Sequence, residues 1–388
     1  MDKNIYLDNA ATTKLSSEVL DSMMPYLTVG YGNPSSIYSI GRESRKAIES
    51  AREQVAKALN CDTNEIYFTS GGSESDNWAI KGVAFANENK GKHIITTNIE
   101  HHAVLHTCKY LEKYGFEITY LPVKSNGIID INDLKKAIRK DTILISIMYA
   151  NNEIGSIQPI KEIGEIAKEN NIYFHTDAVQ AIGNIPINLK ELNIDLLSLS
   201  AHKFHGPKGV GVLYIKKGVN ISNMIHGGGQ EKNMRAGTEN VAGIVGLGKA
   251  IELATIDIEK KSKYLITLRE RLIKGIMESI PDTILNGDPI NRLPGNVNVC
   301  FKYIEGESIL LMLDMKGICA SSGSACTSGS LNPSHVLLAI GLPHEIAHGS
   351  LRLTLSEENT QEEIEYVLET LPPIIQNLRN MSPLINEK

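Results

Sequence analysis

Seven short apolar runs between residues 65 and 215 alternate, for the most part, with amphipathic stretches: IYFTS, HIITTNI, EITYLPV, TILISIMYA, IYFHTDA, DLLSLSA and GVGVLYI. This rhythm constrains the chain more than any other feature. Parallel strands need a crossover of a dozen or more residues between them, usually a helix, so strands spaced in this way read as an α/β sheet. The runs do not alternate strictly between apolar and polar, which suits strands covered by helices on both faces. GVGVLYI follows only a short Gly-rich turn and is the candidate antiparallel strand.

Past GLGKAIELA the pattern changes. The stretch IDIEKKSKYLITLRERLIKGIMESI reads as one long helix leaving the first unit, and a boundary is expected near residue 260. Beyond it come a strand-like NVNVCF, a helical ESILLMLDMKG, a Ser/Gly-rich segment, a helix at SHVLLAIG, a strand at SLRLTLS and an amphipathic end. The expected organisation is a large unit of residues 15–260 and a smaller α+β unit of residues 1–14 and 261–388. A length of 388 residues suits such a division, since domains commonly run to about 100–200 residues.

Charge and cysteine usage exclude several functions. With 39 Lys and Arg against 45 Asp and Glu, the net charge is -6, which offers no footprint for a nucleic-acid backbone. No apolar run reaches the roughly 18 residues of a membrane span, and MDKNIYLDNAATT lacks the basic start of a secretory signal, so a cytoplasmic protein is expected. Cys61, Cys108, Cys300, Cys319 and Cys326 contain no CxxC pair and suit neither a disulfide framework nor a zinc cluster. Cys61, Cys108 and Cys300 read as small buried apolar residues.

Polar residues at strand ends carry the chemistry. In SLSAHKFHGPKGVG, Lys203 follows an apolar strand and is flanked by Ser200 and His202. A lysine there is either solvated or a confined Schiff-base amine. Upstream, Asp177 closes the strand YFHTDA and Gln180 follows. A pyridoxal cofactor needs such a carboxylate against its ring nitrogen, to keep the ring an electron sink, and Gln180 is either a donor to the ring oxygen or a surface amide. The segment TSGGSESDN passes from strand to helix through Gly71, Gly72 and Ser73, whose backbone N–H groups suit a phosphate, although many turns look alike. The strand before EHHAVL ends at His101, placed to cover a cofactor ring and exchange protons, with His102 beside it. A metal is the weaker reading of this pair, because no further ligands cluster near it in sequence. Asn152 suits cofactor or substrate and, like Asn151, suits a turn. Thr238, in the Gly-rich HGGGQEKNMRAGTEN, is a hydroxyl for a phosphate, including that of a neighbouring subunit. Arg352 in LRLTLS is either a clamp for a substrate carboxylate or a solvent-face arginine. Cys326, in SSGSACTSGS, has the surroundings of an uncovered thiol on a flexible loop.

Together LDNAATT, SGGSESDN, EHHAV, NNEIG, HTDAVQ, SAHKFHGPKGVG, RAGTEN, SSGSACTSG and LRLTLS resemble the pyridoxal-phosphate cysteine desulfurases of the NifS/IscS type, over essentially the whole chain. The resemblance implies the aspartate-aminotransferase type I fold, with a mainly parallel seven-stranded sheet in the large domain, and a homodimer. It implies transfer of sulfur from L-cysteine, with release of L-alanine, to a NifU- or IscU-like iron–sulfur scaffold. It assigns the cofactor linkage and proton transfer at Cα to Lys203, the ring nitrogen to Asp177 and the ring oxygen to Gln180. The phosphate falls to Gly72, Ser73, Ser200 and His202, with Thr238 from the other subunit. His101 would stack on the ring and handle protons, and Asn152 and Arg352 would hold substrate. Cys326 would carry the persulfide and serve as a cluster ligand shared with the scaffold. A selenocysteine lyase or a pyridoxal-dependent aminotransferase would share lysine, aspartate and cradle. A noncatalytic sulfur or iron carrier would bind no lysine-linked chromophore.

Overall fold

The computed structural model describes residues 4–322 and 333–382. Strand β1 (Ile5–Tyr6) precedes a seven-stranded sheet built from β2 (Ile66–Thr69), β3 (His93–Thr97), β4 (Glu117–Leu121), β5 (Thr142–Ser146), β6 (Tyr173–Asp177), β7 (Leu196–Ser200) and β8 (Gly211–Ile215). Their order across the sheet is β2-β8-β7-β6-β5-β3-β4. Neighbours from β7 to β4 are parallel, and β8 is antiparallel to both β7 and β2, as the short turn before it predicts.

The predominance of apolar residues in the strands follows from two cores. Ile95, Ile145, Leu197 and Val212 face one core, closed by Ile48 and Val55 of the helix Ser39–Leu59 and Leu247 of Val241–Thr255. Their neighbours Ile94, Leu144, Leu196 and Leu213 face the opposite core, closed by Trp78 and Val83 of Gly72–Ala86 and Leu111 of His102–Glu112. Successive side chains point to opposite faces, so apolar residues are favoured at both odd and even positions once both faces are covered, and the polar ones that remain, such as His175, are hydrogen-bonded. Truncating one of them, as in Leu144→Ala, should cost about 2–5 kcal/mol.

Chain order reverses between β3 and β5. From β3 the sheet grows outward to β4, then returns to β5 and runs the other way through β6 and β7. Open sheets of this kind leave a crevice at such a switch, beyond the C-terminal ends of the strands.

After the helix Ile258–Ser279, β9 (Thr283–Leu285), β10 (Asn296–Phe301) and β12 (Ser350–Thr354) form a second, antiparallel sheet, while β11 (Ile318–Cys319) pairs in parallel with β1. Its core takes Leu268 and Leu272 from one long helix and Ile364, Val367 and Leu371 from Gln361–Met381. Thr360 and Glu363 close the start of that last helix as a capping box.

Candidate active site

The strand ends converge. Gly72, Ser73, His101, Asn152, Asp177, Gln180, Ser200, His202, Lys203 and Arg352 all line one cavity of about 310 Å³, together with Ala10, Ala11, Asp76, Met148, Ala150 and Val179. Thr238 is exposed and stands outside this lining, and Cys326 lies outside the described residues.

At the end of β2 the chain turns into the helix Gly72–Ala86 through Gly71, whose φ of +150° with ψ of -179° is a conformation essentially confined to glycine. At Gly72 a Cβ would meet Cγ2 of Val179 at 2.8 Å. The two glycines therefore bring a bare helix start, with outward backbone N–H groups, to the cavity wall.

A 3₁₀ turn, Ala201–Lys203, follows β7 and aims the lysine across the cavity mouth. Its Nζ donates to the carbonyl oxygens of Ala10 at 2.6 Å and Ala11 at 2.7 Å. Gln180 Nε2 donates to the same Ala10 oxygen at 2.9 Å. The imidazole of His202 lies 3.1 Å from Thr12 Oγ1, and burial, aided by the charges of Lys203 and Lys208, depresses its pKa to about 4. His202 is neutral at pH 7.

Asp177 closes β6 and accepts from the Val179 N–H at 2.9 Å. Burial raises its pKa, while His101, that N–H and Lys203 pull it back. Asp76, on the helix Gly72–Ala86, was not singled out from the sequence, yet it belongs here. One carboxylate oxygen of Asp76, one of Asp177 and a ring nitrogen of His101 all lie within 4.8 Å of one another. Burial, then the charge of Asp177, pushes the Asp76 carboxyl well above its ordinary value. Below it the His175 ring bridges Ser146 Oγ at 2.8 Å and Ser198 Oγ at 3.0 Å, and burial depresses its pKa to about 3.

His101 is the N-cap of His102–Glu112, and its Nδ1 accepts from the Ala103 N–H at 3.1 Å. That bond leaves the proton of the neutral ring on Nε2. Glu100 beside it is buried, accepts from Thr97 Oγ1 at 2.7 Å and from the Met148 N–H, and is pushed by burial to about 8.

From the second sheet, Arg352 is only 2% exposed, which removes the solvent-face alternative. Nη2 donates to Asp8 Oδ1 at 2.9 Å and Nη1 to the Asn152 carbonyl at 3.2 Å, while Nε has no hydrogen-bond partner among the described residues. A buried guanidinium with an unused N–H is costly unless an anion completes it. Asn151 is structural, donating to the Ile99 carbonyl and accepting from the N–H groups of Glu153 and Ile154. Burial raises the thiols of Cys61, to about 12, and Cys300, to about 11, and those of Cys108 and Cys319 also rise, so the four described cysteines are protonated and poor nucleophiles.

The partners that the sequence hid are Asp8, Asp76 and the carbonyls of Ala10 and Ala11. LDNAATT and SGGSESDN contain them, but neither segment shows locally which way its acid points.

Comparison with known proteins agrees with this geometry. The aminotransferase class-V family matches residues 5–367. A relative from Methanosarcina thermophila, named cysteine desulfurase IscS, is 66% identical over 382 residues, spanning 98% of this chain and 94% of that protein. A solved structure titled NifS-like protein has a TM-score of 0.91 at 43% identity, covering 97% of this chain and 100% of that one. Another, titled SspA in complex with cysteine, has a TM-score of 0.82 at 39% identity, covering 91% and 99%. The strand-end cavity, the sheet order and these likenesses together make the chain a member of the class-V aminotransferases, within their pyridoxal-phosphate-dependent cysteine desulfurases of the NifS/IscS type.

Proposed function

We propose that this chain holds pyridoxal phosphate on Lys203 and takes sulfur from L-cysteine, releasing L-alanine and leaving a persulfide on Cys326. The observation that carries the reading is the meeting of Lys203, Asp177 and His101 in one cavity with the buried Arg352. Three features suit the cofactor: a buried carboxylate for the ring nitrogen, a glycine-walled helix start for the phosphate, and a lysine amine at the rim. The cofactor, when bound, supplies the electron sink for the Cα carbanion.

The chain's own residues do the rest. Gly72, Ser73, Ser200 and His202 bind the phosphate, with His202 as a neutral imidazole. Gln180 and Asn152 orient the ring and the substrate. Arg352, held by Asp8, offers its remaining N–H to the substrate carboxylate. Lys203 moves the Cα proton. His101, with Nδ1 committed to Ala103, enters the cycle as a proton donor at Nε2. The Cys326 thiolate attacks the substrate sulfur, the Cβ–S bond breaks with its electrons going to carbon, and cysteine plus enzyme thiol become alanine plus enzyme persulfide. The persulfide then passes to a NifU- or IscU-like scaffold or another thiol acceptor, and Cys326 is the candidate ligand for a cluster shared with that scaffold.

A cytoplasmic homodimer completes the reading. Leu20, Met24, Leu27, Val29, Tyr31 and Ile37 expose apolar side chains within one stretch of sequence, which suits a face covered by a second copy. Thr238, exposed and outside its own chain's cavity, suits a hydroxyl delivered to the neighbour's phosphate. The division into residues 15–260 and residues 1–14 with 261–388 is part of the same proposal. Among the described residues no helix is long and apolar enough to cross a membrane.

Incubation with L-cysteine and a reductant should give sulfide and alanine in equal amounts, and borohydride should fix the cofactor to Lys203. With a 2-oxo acid added, 3-mercaptopyruvate in place of alanine would identify an aminotransferase, and turnover confined to L-selenocysteine would identify a lyase for that substrate. A reduced adduct mapped to another lysine would overturn the assignment of Lys203.

A further inference from the structure

Beside the cavity, but outside its lining, the structure gathers imidazoles that the mechanism does not use. His102 and His106 stand one turn apart at the start of His102–Glu112, so their rings leave the same face. The ring centroids are 5.0 Å apart with planes tilted by 45°. His335, the first residue of the helix His335–Ala339, brings its ring to 4.8 Å from that of His102, tilted by 53°. Only the first pair is visible in the sequence, and the third ring comes from more than 220 residues away.

These separations have a chemical meaning. Imidazole nitrogens bound about 2.1 Å from a shared ion place ring centroids roughly 3.2 Å from it, and so roughly 4.5–5.2 Å from one another at angles between 90° and tetrahedral, a range that holds both the His102–His106 and the His102–His335 pairs. The orientation of His335 supplies an independent sign. Its Nε2 lies 3.0 Å from the Glu100 carbonyl oxygen, which can only accept, so Nε2 bears the hydrogen and Nδ1 keeps a lone pair. Metal-bound histidines are commonly oriented in this way, the second nitrogen donating to a backbone carbonyl. The three rings do not all converge as they stand, and His106, which is exposed, would have to turn about its side-chain torsions to close on an ion held by the other two.

We infer that His102, His106 and His335 form a three-imidazole site for a divalent first-row transition ion, with its remaining coordination positions left to water or an incoming ligand. Zn²⁺ is the simplest probe, since imidazole suits it and it carries no redox chemistry. The site is distinct from Asp76, His101 and Asp177, which converge inside the cavity. It ties the helix whose N-cap is His101 to the helix beginning at His335, so an ion here would stiffen one wall of the cavity.

The test uses the full-length, pyridoxal-loaded protein with accessible thiols alkylated, dialysed to equilibrium against Zn²⁺. About one ion per chain should bind, with a nitrogen and oxygen shell at about 2.0–2.1 Å in X-ray absorption. His106→Ala and His335→Ala should each weaken binding by at least about tenfold. His344→Ala should leave it unchanged, because His344 belongs to the separate pair with His348. Should His335→Ala fail to fold, the exposed His106 decides the matter by itself. Binding that survives both substitutions, a shell dominated by sulfur, or no saturable uptake would each overturn the site.

Discussion

A carboxylate oxygen of Asp76 lies within 4.8 Å of one of Asp177, and the two residues are only 1% and 6% exposed. Two negative charges at that spacing would cost roughly 3 kcal/mol even at an effective dielectric constant of 20. The pair therefore holds a proton. Asp177 faces the positive charges of His101 and Lys203 and the Val179 N–H, all of which favour its anion, whereas Asp76 has the neutral His175 ring at 3.6 Å and the hydroxyl of Ser198, with no cation beside it among the described residues. Asp76 is the protonated member, and it leaves Asp177 as the charge that would meet the ring in the proposed function.

Asp76→Asn, which copies a neutral acid, should accordingly keep cofactor affinity within about threefold, while Asp177→Asn should lose turnover by at least about 100-fold. Cofactor titration and kcat for the two variants check this. A loss in Asp76→Asn as deep as that in Asp177→Asn would mean that Asp76 carries charge.

Glu100 gives the fold a pH dependence of definite sign. Its carboxyl titrates near 4.5 when exposed and near 8 in the fold, so the folded chain holds a proton that the unfolded chain has released between those values. The stabilisation is whole below about pH 4.5 and is lost as pH rises through about 8. Glu153, pushed to about 7 by burial, acts in the same direction. Urea midpoints should fall from about pH 5 to about pH 8, and fall less in Glu100→Gln. Equal falls in both proteins would show that Glu100 ionises freely in the fold.

Arg352→Ala should raise the KM for L-cysteine by about tenfold or more, with cofactor affinity within about twofold, because the guanidinium bonds Asp8 and the Asn152 carbonyl rather than the phosphate cradle. Arg352→Lys should not restore it, since a point charge cannot hold Asp8 and a substrate carboxylate with the same planar fork. Steady-state kinetics with separate cofactor titration distinguish the two effects. An unchanged KM would make Arg352 a purely structural partner of Asp8.

Cys326→Ser should separate binding from sulfur transfer. Lys203 and Asp177 remain, so L-cysteine should still alter the cofactor absorbance, while sulfide and alanine fall by at least about 100-fold, a hydroxyl at neutral pH being a far weaker nucleophile toward sulfur than a thiolate. Persulfide labelling and product analysis read both halves. Parental product rates would sink the persulfide route.

How much of this was legible in the sequence depended on how local each signal is. A parallel strand covered on both faces is mostly apolar, and its C-terminal end opens on the crevice. The runs of β5, β6 and β7 therefore announced both the sheet and the positions of Asp177 and Lys203. Asp76 was hidden because an acid four residues past a helix start reads as a solvated charge favourable to the helix dipole, and only the packing of Gly72–Ala86 against the sheet turns it inward. Arg352 could not be assigned a face from alternation, since β12 is buried at all five positions. His335 shares no segment with His102, so their meeting left no mark in sequence.

The anchoring of Lys203 sets a timetable for the chain. The carbonyls that hold it belong to residues 10 and 11, and that stretch is itself fastened to the far end of the molecule. Leu7 N donates to Cys319 O, Thr354 N to Leu7 O, and Asn9 Nδ2 to Thr354 O across a sequence separation of 345. On the ribosome the strands of the large sheet are all made by residue 215, yet the fastening at Thr354 emerges about 140 residues later, an interval of roughly 7–30 s at common rates of synthesis. A growing chain therefore passes through a stage in which residues 10–13 have their partners at Gln180 and His202 but not yet their fastening at Thr354, and the wall that positions Lys203 is completed only late in synthesis.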